Sequence, residues 1–339
     1  MSTTPADHFR HFALAARATS PLYAALADSI AEDPELLALA AEIDLDKMPP
    51  NMLLAGVHAL LPAGEPLARF YASRTAAPLP PDAAYPDFRR FALAHRAAIL
   101  ELCRTRRTST NEMRRAAVLL PAFGLVAQGG EPLHCFEVGC SAGLLLNWDR
   151  VGYDYGEAGR LMPLNAAFTL HSVAEGPVPI PAAMPRVATR VGFDLVDVDP
   201  TDAEDAGWLR ALIWPELTQR RERLDQALAL AQHDPPRRVV GDALAALPGE
   251  VARLPANGTI VVFHSFALNQ FPAALKADFF ALLDRLGATQ PLWRVGYEHG
   301  AKEFAYLSLQ RHGAGAPEQV LAEALPHGDR FRWLDSAPR

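Results

Sequence analysis

The sequence predicts an α/β protein in which a mostly parallel sheet follows an all-helical first part. Before Gly129-Gly130, apolar residues recur at three- and four-residue spacing, and no segment has the alternation of a strand. After Leu133, short apolar runs alternate with helical patterns, which is typical of a parallel sheet covered by helices on both faces. We therefore predict a helical cap domain over residues 1–130 and an α/β domain over 131–339.

Prolines separate the helical patterns of the first domain. The helical segments that the spacing predicts are HFRHFALAARA, SPLYAALADSIAEDPELLALAAEI, NMLLAGVHALL, PLARFYASR, DFRRFALAHRAAILELC and STNEMRRAAVLLPAFGLVAQ. Ser109 or Thr110 suits the N-cap of the last of these, because Glu112 follows.

The second domain begins with a buried strand, LHCFEVG (133–139), and a predicted helix, SAGLLLNWDRV. An irregular, proline-rich insertion follows at 151–186, with a predicted hairpin around AAFTLHSVAEG. A strand is expected at 186–195, and then a helix that bends at Pro215. Further strands are expected at RRVV and GTIVVFHSF, then a helix at PAALKADFFALLDRLG. LWRVGYEHG and EFAYLSLQRHG should form an antiparallel hairpin at the edge of the sheet.

The bulk composition is that of a globular protein and limits the classes of partner. The chain has 339 residues and a net charge of −7, which argues against nucleic acid as a partner. One stretch, RTRRTSTNEMRR (104–115), has five arginines, which we expect mostly on a solvated helix face. No apolar run is long enough for a membrane span, and no signal peptide is evident, so we expect a cytoplasmic protein. The three cysteines suggest packed thiols, and no spacing predicts a metal site.

The stretch Gly139-Cys140-Ser141-Ala142-Gly143 fits two templates. One is the G-x-S-x-G elbow of a serine hydrolase, with Ser141 as nucleophile and Asp242 with His264 or His299 as partners. That elbow needs earlier strands, whereas the preceding part of this chain reads as helical. The other template is the glycine-rich turn after the first strand of a Rossmann-like fold, where small residues let a ligand approach the backbone. We favour this second interpretation.

The acids after successive strands resemble those of class I S-adenosylmethionine-dependent methyltransferases. That family has acid-x-G-x-G-x-G after strand one and an acid after each of strands two and three. Here the order is EVGCSAG, then VGFDL, then VVGDAL. The residues that this resemblance assigns to cofactor binding are Glu137, Gly139, Ser141, Gly143, Asp194 and Asp242.

The resemblance also implies a role for each acid. Glu137 would orient the turn, Asp194 would accept the ribose hydroxyls, and Asp242 would accept the adenine amino group. Asp194 follows the turn by more than the spacing of about 20 residues that is usual in dinucleotide folds. The alternative is that AAFTLHSVAEG is the second strand and that Glu175 holds the ribose; we prefer Asp194.

Nearly the whole chain is similar to the bacterial family called domain of unknown function 2332. The segments that carry this similarity are SPLYAAL, PPNMLLAGVHALL, TSTNEMRRAAVLLPAF, FEVGCSAGLLLNWDRVGYDYG, RVGFDLVDVDPTD, WLRALIWPE and VVFHSFALNQFP. This resemblance implies a methyltransferase-like fold.

The predicted function is therefore transfer of a methyl group from S-adenosylmethionine to a small molecule, and the alternative is a non-catalytic Rossmann-like binding or regulatory protein. His264, at the end of IVVFH, is the candidate base, since histidine is the commonest one. Glu112 and Tyr153 are the other candidate catalytic residues. Further residues expected near the substrate are Asn111, Asp154, Tyr155, Trp214, Glu216, Glu298 and His299.

Overall fold

The computed structural model describes residues 4–300 and 304–335, and these form two compact units. The helical unit comprises the described residues within 1–110 and 202–225, and the sheet unit comprises those within 111–201 and 226–339. The helices are α1 Pro5–Ala16, α2 Pro21–Ile30, α3 Pro34–Ala40, α4 Pro49–Leu60, α5 Tyr85–Ala94, α6 Arg96–Thr105, α7 Arg115–Val126, α8 Ala203–Ala211, α9 Thr218–His233, α10 Ala243–Val251 and α11 Ala273–Gly287. The strands are β1 Leu133–Val138, β2 Gly152–Asp154, β3 Arg160–Leu161, β4 Thr169–His171, β5 Val173–Glu175, β6 Val187–Asp194, β7 Arg237–Val240, β8 Thr259–Ser265, β9 Leu292–His299, β10 Ala305–His312, β11 Gln319–Ala324 and β12 Arg330–Trp333.

The first three helices begin with the same local device. Thr4, Ser20 and Asp33 are N-caps whose side chains accept backbone N–H groups, and each is followed by proline at the first helical position. Proline suits that position because its missing N–H is not needed there. Pro5, Pro21 and Pro34 therefore mark helix starts. Two predicted segments were each broken in two: the helix predicted across 20–43 splits at Asp33, and the one across 87–103 splits at His95.

The helical unit has its own apolar core, in which α1 to α6 pack together with α8. Fully buried members of this core include Phe9, Leu26, Leu53 and Phe88. The break predicted at Pro215 is observed, because α8 ends at Ala211 and α9 begins at Thr218.

The sheet unit is built on nine strands in the order β5-β12-β11-β10-β9-β8-β1-β6-β7. The five strands from β9 to β7 are parallel to one another, and β12 is also parallel to β5. Phe136, Val262 and Phe279 belong to a core formed with α10 and α11 on one face. Phe263 packs against Phe123 of α7 on the other face. The prediction of a mixed α/β protein with a mostly parallel sheet is confirmed.

Two predictions about the strands were wrong. β9 and β10 are antiparallel as expected, but β11 and β12 continue the sheet, so this hairpin does not lie at the edge. The segment AAFTLHSVAEG is not a hairpin, since β4 pairs with β2 in a separate three-stranded sheet while β5 pairs with β12. The short β5 covers the edge of β12, and an edge covered in this way is less open to pairing with another chain.

A proline inside α7 is tolerated because a tyrosine replaces the hydrogen bond that it removes. Pro121 has no N–H for the carbonyl of Ala117, four residues earlier. The Tyr155 hydroxyl donates to that carbonyl at 2.8 Å from outside the helix. Tyr155 is itself buried and stacks with Tyr153. Tyr155 therefore stabilises α7, and this contact explains its position without a role at a substrate site.

No helix among the described residues is both long and apolar enough to cross a membrane. Cys103, Cys135 and Cys140 are free and buried, as expected of packed thiols.

Candidate functional site

The glycine turn lies at the carboxyl end of β1 and has three residues in the left-handed region. Gly139 has φ of 74°, Ser141 of 48° and Gly143 of 71°. A Cβ atom at Gly139 would lie 2.5 Å from the Cβ of Ala267, so only glycine fits there. Ser141 is strained in this conformation, at a cost of about 1–2 kcal/mol. Its backbone N–H donates to Asp194 Oδ2 at 2.7 Å, which helps to hold the turn.

The helix predicted after this turn was wrong. The segment Leu144–Arg150 forms only a short 3₁₀ stretch, interrupted by non-helical angles at Asn147. Five successive side chains from Leu144 to Trp148 are buried, so the segment lacks the polar face of an amphipathic helix. Asp149 is held by an ion pair with Arg190 of β6. The segment that follows the turn therefore does not provide the N-terminus of a long helix.

Asp194 lies beside the glycine turn, as its predicted role requires. β6 is parallel and adjacent to β1, and Phe193 pairs with Val138. Asp194 Oδ2 accepts the Ser141 N–H, and Oδ1 accepts the Val196 N–H at 3.1 Å. The alternative residue, Glu175, lies on β5 at the opposite end of the sheet, where it forms an ion pair with Arg330.

The next acid along this edge, Asp242, follows β7 and caps α10, a helix that the sequence analysis missed. Its carboxylate accepts the Leu244 N–H at 2.9 Å, and the side chain is exposed. Two apolar side chains next to these acids are also exposed: Leu195 by 76% and Val240 by 55%. Val240 pairs with Asp194 in the register of β6 and β7. An exposed apolar surface therefore adjoins the two carboxylates.

Glu137 lies inside β1 and is 3% exposed. Burial raises the pKa of Glu137 well above its usual value, and the Asp194 charge raises it further, while Arg115 opposes the shift. Its Oε2 atom has no hydrogen-bond partner among the described residues. The amides of Gly139 and Cys140 donate instead to the Phe193 carbonyl, so the described hydrogen bonds of the turn run to β6 and not to Glu137.

His264 is buried at the end of β8 and is 1% exposed. Its Nδ1–H donates to Glu298 Oε1 at 2.7 Å, and Nε2 accepts from Arg294 at 3.3 Å. Burial lowers the pKa of His264 despite the opposing effect of Glu298. The ring is therefore a neutral bridge between Glu298 and Arg294 within the sheet.

Glu298, expected near His264, organises the loop after β8. Besides the His264 ring it accepts the backbone N–H groups of Ala267, Leu268 and Asn269 at 3.0, 3.0 and 3.2 Å. Burial opposes its ionisation, but these hydrogen bonds and the one from His264 hold the pKa of Glu298 below its usual value. The ionised carboxylate thus fixes the loop that packs on Gly139.

Arg115 and Phe266 were missed by the sequence analysis. Phe266 has φ of 57° and lies under the Arg115 guanidinium, 4.2 Å from the ring centroid. Arg115 also donates to Ser265 Oγ at 3.3 Å and to the Pro326 carbonyl at 3.0 Å. An arginine at the start of the otherwise apolar helix α7 was the available signal. His299 is exposed and contacts the Phe266 ring edge-on.

The remaining predicted residues differ in how near they lie to the turn. Asn111 is beside it, since its Nδ2 donates to Ser141 Oγ at 3.1 Å. Glu112 is 2% exposed, and its Oε1 accepts the Arg114 N–H at 3.1 Å. Tyr153 is fully buried and donates to the Trp148 carbonyl at 2.5 Å. Asp154 accepts the Gly156 N–H and forms an ion pair with Arg160.

Trp214 and Glu216 lie in the helical unit. Trp214 packs against Phe12 and Tyr23, and Glu216 accepts the Leu22 N–H at 2.9 Å. These contacts explain both residues as parts of the helical core and of the start of α2.

The arginines of the stretch 104–115 are ion-paired or hydrogen-bonded, and only part of the stretch is solvated. Arg104 is exposed and pairs with Glu101 on α6, as expected of a helix face. Arg106 pairs with Asp205 and is less exposed. Arg115 is buried and is the exception to the expected solvated face.

A catalytic triad is not assembled around Ser141. No histidine is hydrogen-bonded to its hydroxyl within residues 4–300 and 304–335, and the donor there is the Asn111 amide. His264 is bonded to Glu298, and Asp242 caps a helix. A nucleophilic serine needs a base within hydrogen-bond reach.

These features define an open α/β protein whose candidate ligand site lies at the carboxyl ends of β1, β6 and β7, next to the point where the strand order reverses. The family model described as an uncharacterized protein conserved in bacteria (DUF2332) matches residues 6–333. The chain therefore belongs to that family. Neither a curated protein nor a solved structure gives a significant match.

Proposed function

We propose that this protein binds S-adenosylmethionine at the carboxyl ends of β1, β6 and β7 and is a methyltransferase for a small molecule. The strand order carries the proposal. The parallel strands run β7-β6-β1-β8-β9, which numbered along the chain is the 3-2-1-4-5 order of dinucleotide-binding folds. This order brings the glycine turn together with an acid after each of the next two parallel strands, Asp194 and Asp242.

The residues at this edge fit an adenosine group. Asp194 has accepted one N–H on each oxygen, and a carboxylate offers about four acceptor positions, so two hydroxyls can still be bound. Leu195 and Val240 offer an exposed apolar surface beside these acceptors. A purine has a flat apolar face and an amino group, and the exposed Asp242 is an acceptor for that amino group. The orphaned Oε2 of Glu137 adds a buried polar atom beneath the turn.

The sulfonium of S-adenosylmethionine supplies the reactive methyl group when it is bound. The chain's own task is to hold the acceptor in line with that group and to exclude water. Catalytic roles for His264, Glu112 and Tyr153 stay predictions. Each of these side chains is buried and already hydrogen-bonded within the protein, which does not favour such a role. The proposal therefore names binding and positioning residues and no general base.

The second candidate function is a binding protein without catalysis. The burial of His264, Glu112 and Tyr153 favours it, because a buried side chain cannot reach a substrate. In that case the site would bind S-adenosylmethionine and S-adenosylhomocysteine equally well without turnover. Incubation with methyl-labelled S-adenosylmethionine and a bacterial small-molecule extract separates the two. Label in a new small molecule supports the methyltransferase, and binding without transfer supports the second candidate.

Leu195→Asp tests the cofactor site with little risk to folding, since Leu195 is exposed. A hydrated carboxylate next to Asp194 should remove the apolar contact with the purine face, weakening affinity for S-adenosylhomocysteine at least about tenfold. Isothermal titration calorimetry measures this. Leu164→Asp is the matched control, because Leu164 is fully exposed in the same unit, outside the sheet. Equal affinity of both variants, or no binding by the unaltered protein, would overturn the proposal.

A further inference from the structure

Two arginines of the helical unit share one carboxylate, and a third arginine lies on a segment that His58 joins to theirs. Arg210 Nε donates to Asp225 Oδ1 at 2.6 Å, and Arg221 Nε lies 3.4 Å from Oδ2 of the same residue. Arg74 donates to the His58 carbonyl at 3.2 Å. Arg74 has no carboxylate partner in the described part of the chain. We call Arg74, Arg210, Arg221 and Asp225 the arginine cluster.

A buried histidine holds the two segments that carry this cluster. His58 Nδ1–H donates to the Ala211 carbonyl at 3.1 Å, and Nε2 accepts from Ser73 Oγ at 2.8 Å. Ala211 adjoins Arg210 in the chain, and Ser73 adjoins Arg74. The geometry of the cluster is thus set from beneath by a ring that is 1% exposed. The guanidinium groups lie nearer the surface, since Arg74 is exposed, Arg210 is 31% exposed and Arg221 is 25% exposed.

The local charge is positive. Burial lowers the pKa of Arg221, and the charges of Arg210 and Arg74 lower it too, against the opposing effect of Asp225. Burial lowers the pKa of His58 to about 3, and Arg74 and Arg221 add to this. Both shifts agree with the geometry, in which His58 joins the segment that carries Arg74 to the one that carries Arg210. Glu216 accepts from the Leu22 N–H and the Ser20 hydroxyl, and no ion pair joins it to these arginines in the described part of the chain.

We propose that the arginine cluster is a binding site for a phosphate dianion, either free or as the monoester group of a small molecule. Three guanidinium groups and one carboxylate leave an excess of two positive charges, which a dianion matches. The planar donor fork of arginine also matches the oxygens of phosphate. This site is separate from the candidate cofactor site, and its assignment does not depend on methyl transfer.

Titration with inorganic phosphate, followed by calorimetry at constant ionic strength, tests the proposal. Arg74→Gln should weaken phosphate binding about tenfold, because one charge-assisted contact is lost. Asp225→Asn should tighten it about threefold, because the competing negative charge is removed. Arg17→Gln is the control: Arg17 is an exposed arginine of the same unit, paired with Asp28. It should leave the affinity unchanged.

Acetate, a monoanion, tests whether the site prefers a dianion. It should bind at least about tenfold more weakly than phosphate. Inorganic phosphate and a simple monoester such as glycerol phosphate then separate the two sources of the dianion. Absence of saturable phosphate binding would overturn the proposal, as would an equal loss in Arg74→Gln and Arg17→Gln. Equal affinity for acetate would overturn the assignment to a dianion. Since Arg74 is exposed, its variant should fold, and circular dichroism checks this.

Discussion

The two units each contain a buried neutral histidine, but in opposite electrostatic surroundings. In the helical unit, His58 bridges two segments that carry arginines and hydrogen-bonds only to neutral groups. In the sheet unit, His264 donates to the ionised Glu298, which in turn holds the loop after β8. The difference teaches that burial alone does not identify a catalytic histidine. Both rings position charged neighbours, and those neighbours are where ligand chemistry is expected.

The largest effect is expected from removing Glu298. Glu298→Ala leaves the buried His264 ring and the N–H groups of Ala267, Leu268 and Asn269 without their acceptor. A buried hydrogen-bonding group left without its partner costs about 1–3 kcal/mol, so with four donors involved we expect a loss of about 3 kcal/mol or more in the free energy of unfolding. Urea denaturation measures it. Glu157→Ala, at an exposed position of the same unit, is the control. A loss below about 1 kcal/mol would contradict the role given to Glu298.

The His58 environment predicts a pH effect of intermediate size. The folded pKa is about 3, below the usual value of about 6.5, so below pH 6.5 the unfolded chain binds a proton that the folded chain does not. Stability therefore falls as the pH drops from about 6.5 toward 3, by up to about 1.4 kcal/mol per pH unit for this residue.

Comparison with His58→Gln isolates that contribution. The pKa of His264 is also lowered, but this residue is present in both proteins and its effect cancels. Between pH 6.5 and 5 the variant should lose about 1–2 kcal/mol less than the unaltered protein. Urea unfolding at several pH values gives the two slopes. Parallel slopes would mean that His58 titrates normally in the folded state.

The smallest effects are expected from two buried tyrosines, one in each unit. Tyr71 is fully buried, and its hydroxyl has no hydrogen-bond partner among the described residues. Tyr155 donates to the carbonyl that Pro121 leaves unpaired. Tyr71→Phe should be neutral or stabilising, by up to about 1 kcal/mol, since it removes an unsatisfied polar group. Tyr155→Phe should destabilise by about 1–2 kcal/mol. Thermal unfolding of the pair checks the difference in sign.

Local patterns in the sequence predicted the elements whose cause is local. The strand that ends in Asp194 was predicted and is observed as β6, beside β1. Pro21 begins α2 where a helix was expected, although the second start at Pro34 lay inside a helix that was predicted as continuous. The wrong predictions concern segments whose structure depends on contacts with residues far away in the sequence. The segment after Gly143 is buried by contacts that the sequence does not reveal, and it forms no long helix.

The candidate site shows the same limit. The glycine turn and its acids can be predicted from their order along the chain, but the hydrogen bond of His264 is made to Glu298, a residue on the next strand. Tyr155 was expected near the substrate and is instead hydrogen-bonded to a proline-containing helix. The arginine cluster joins Arg74 with residues far along the chain, so no local pattern could predict it.

The pairing of β5 with β12 has a consequence for the order of folding. Val173 pairs with Arg330, so this edge of the sheet closes one of the longest loops in the described chain. Loops of this kind form slowly, because their entropy is lost before the contact contributes. During synthesis, β5 emerges long before its partner and must wait until residues 330–333 have been made. We therefore expect the β5–β12 edge to be among the last parts of the sheet to acquire protection from hydrogen exchange.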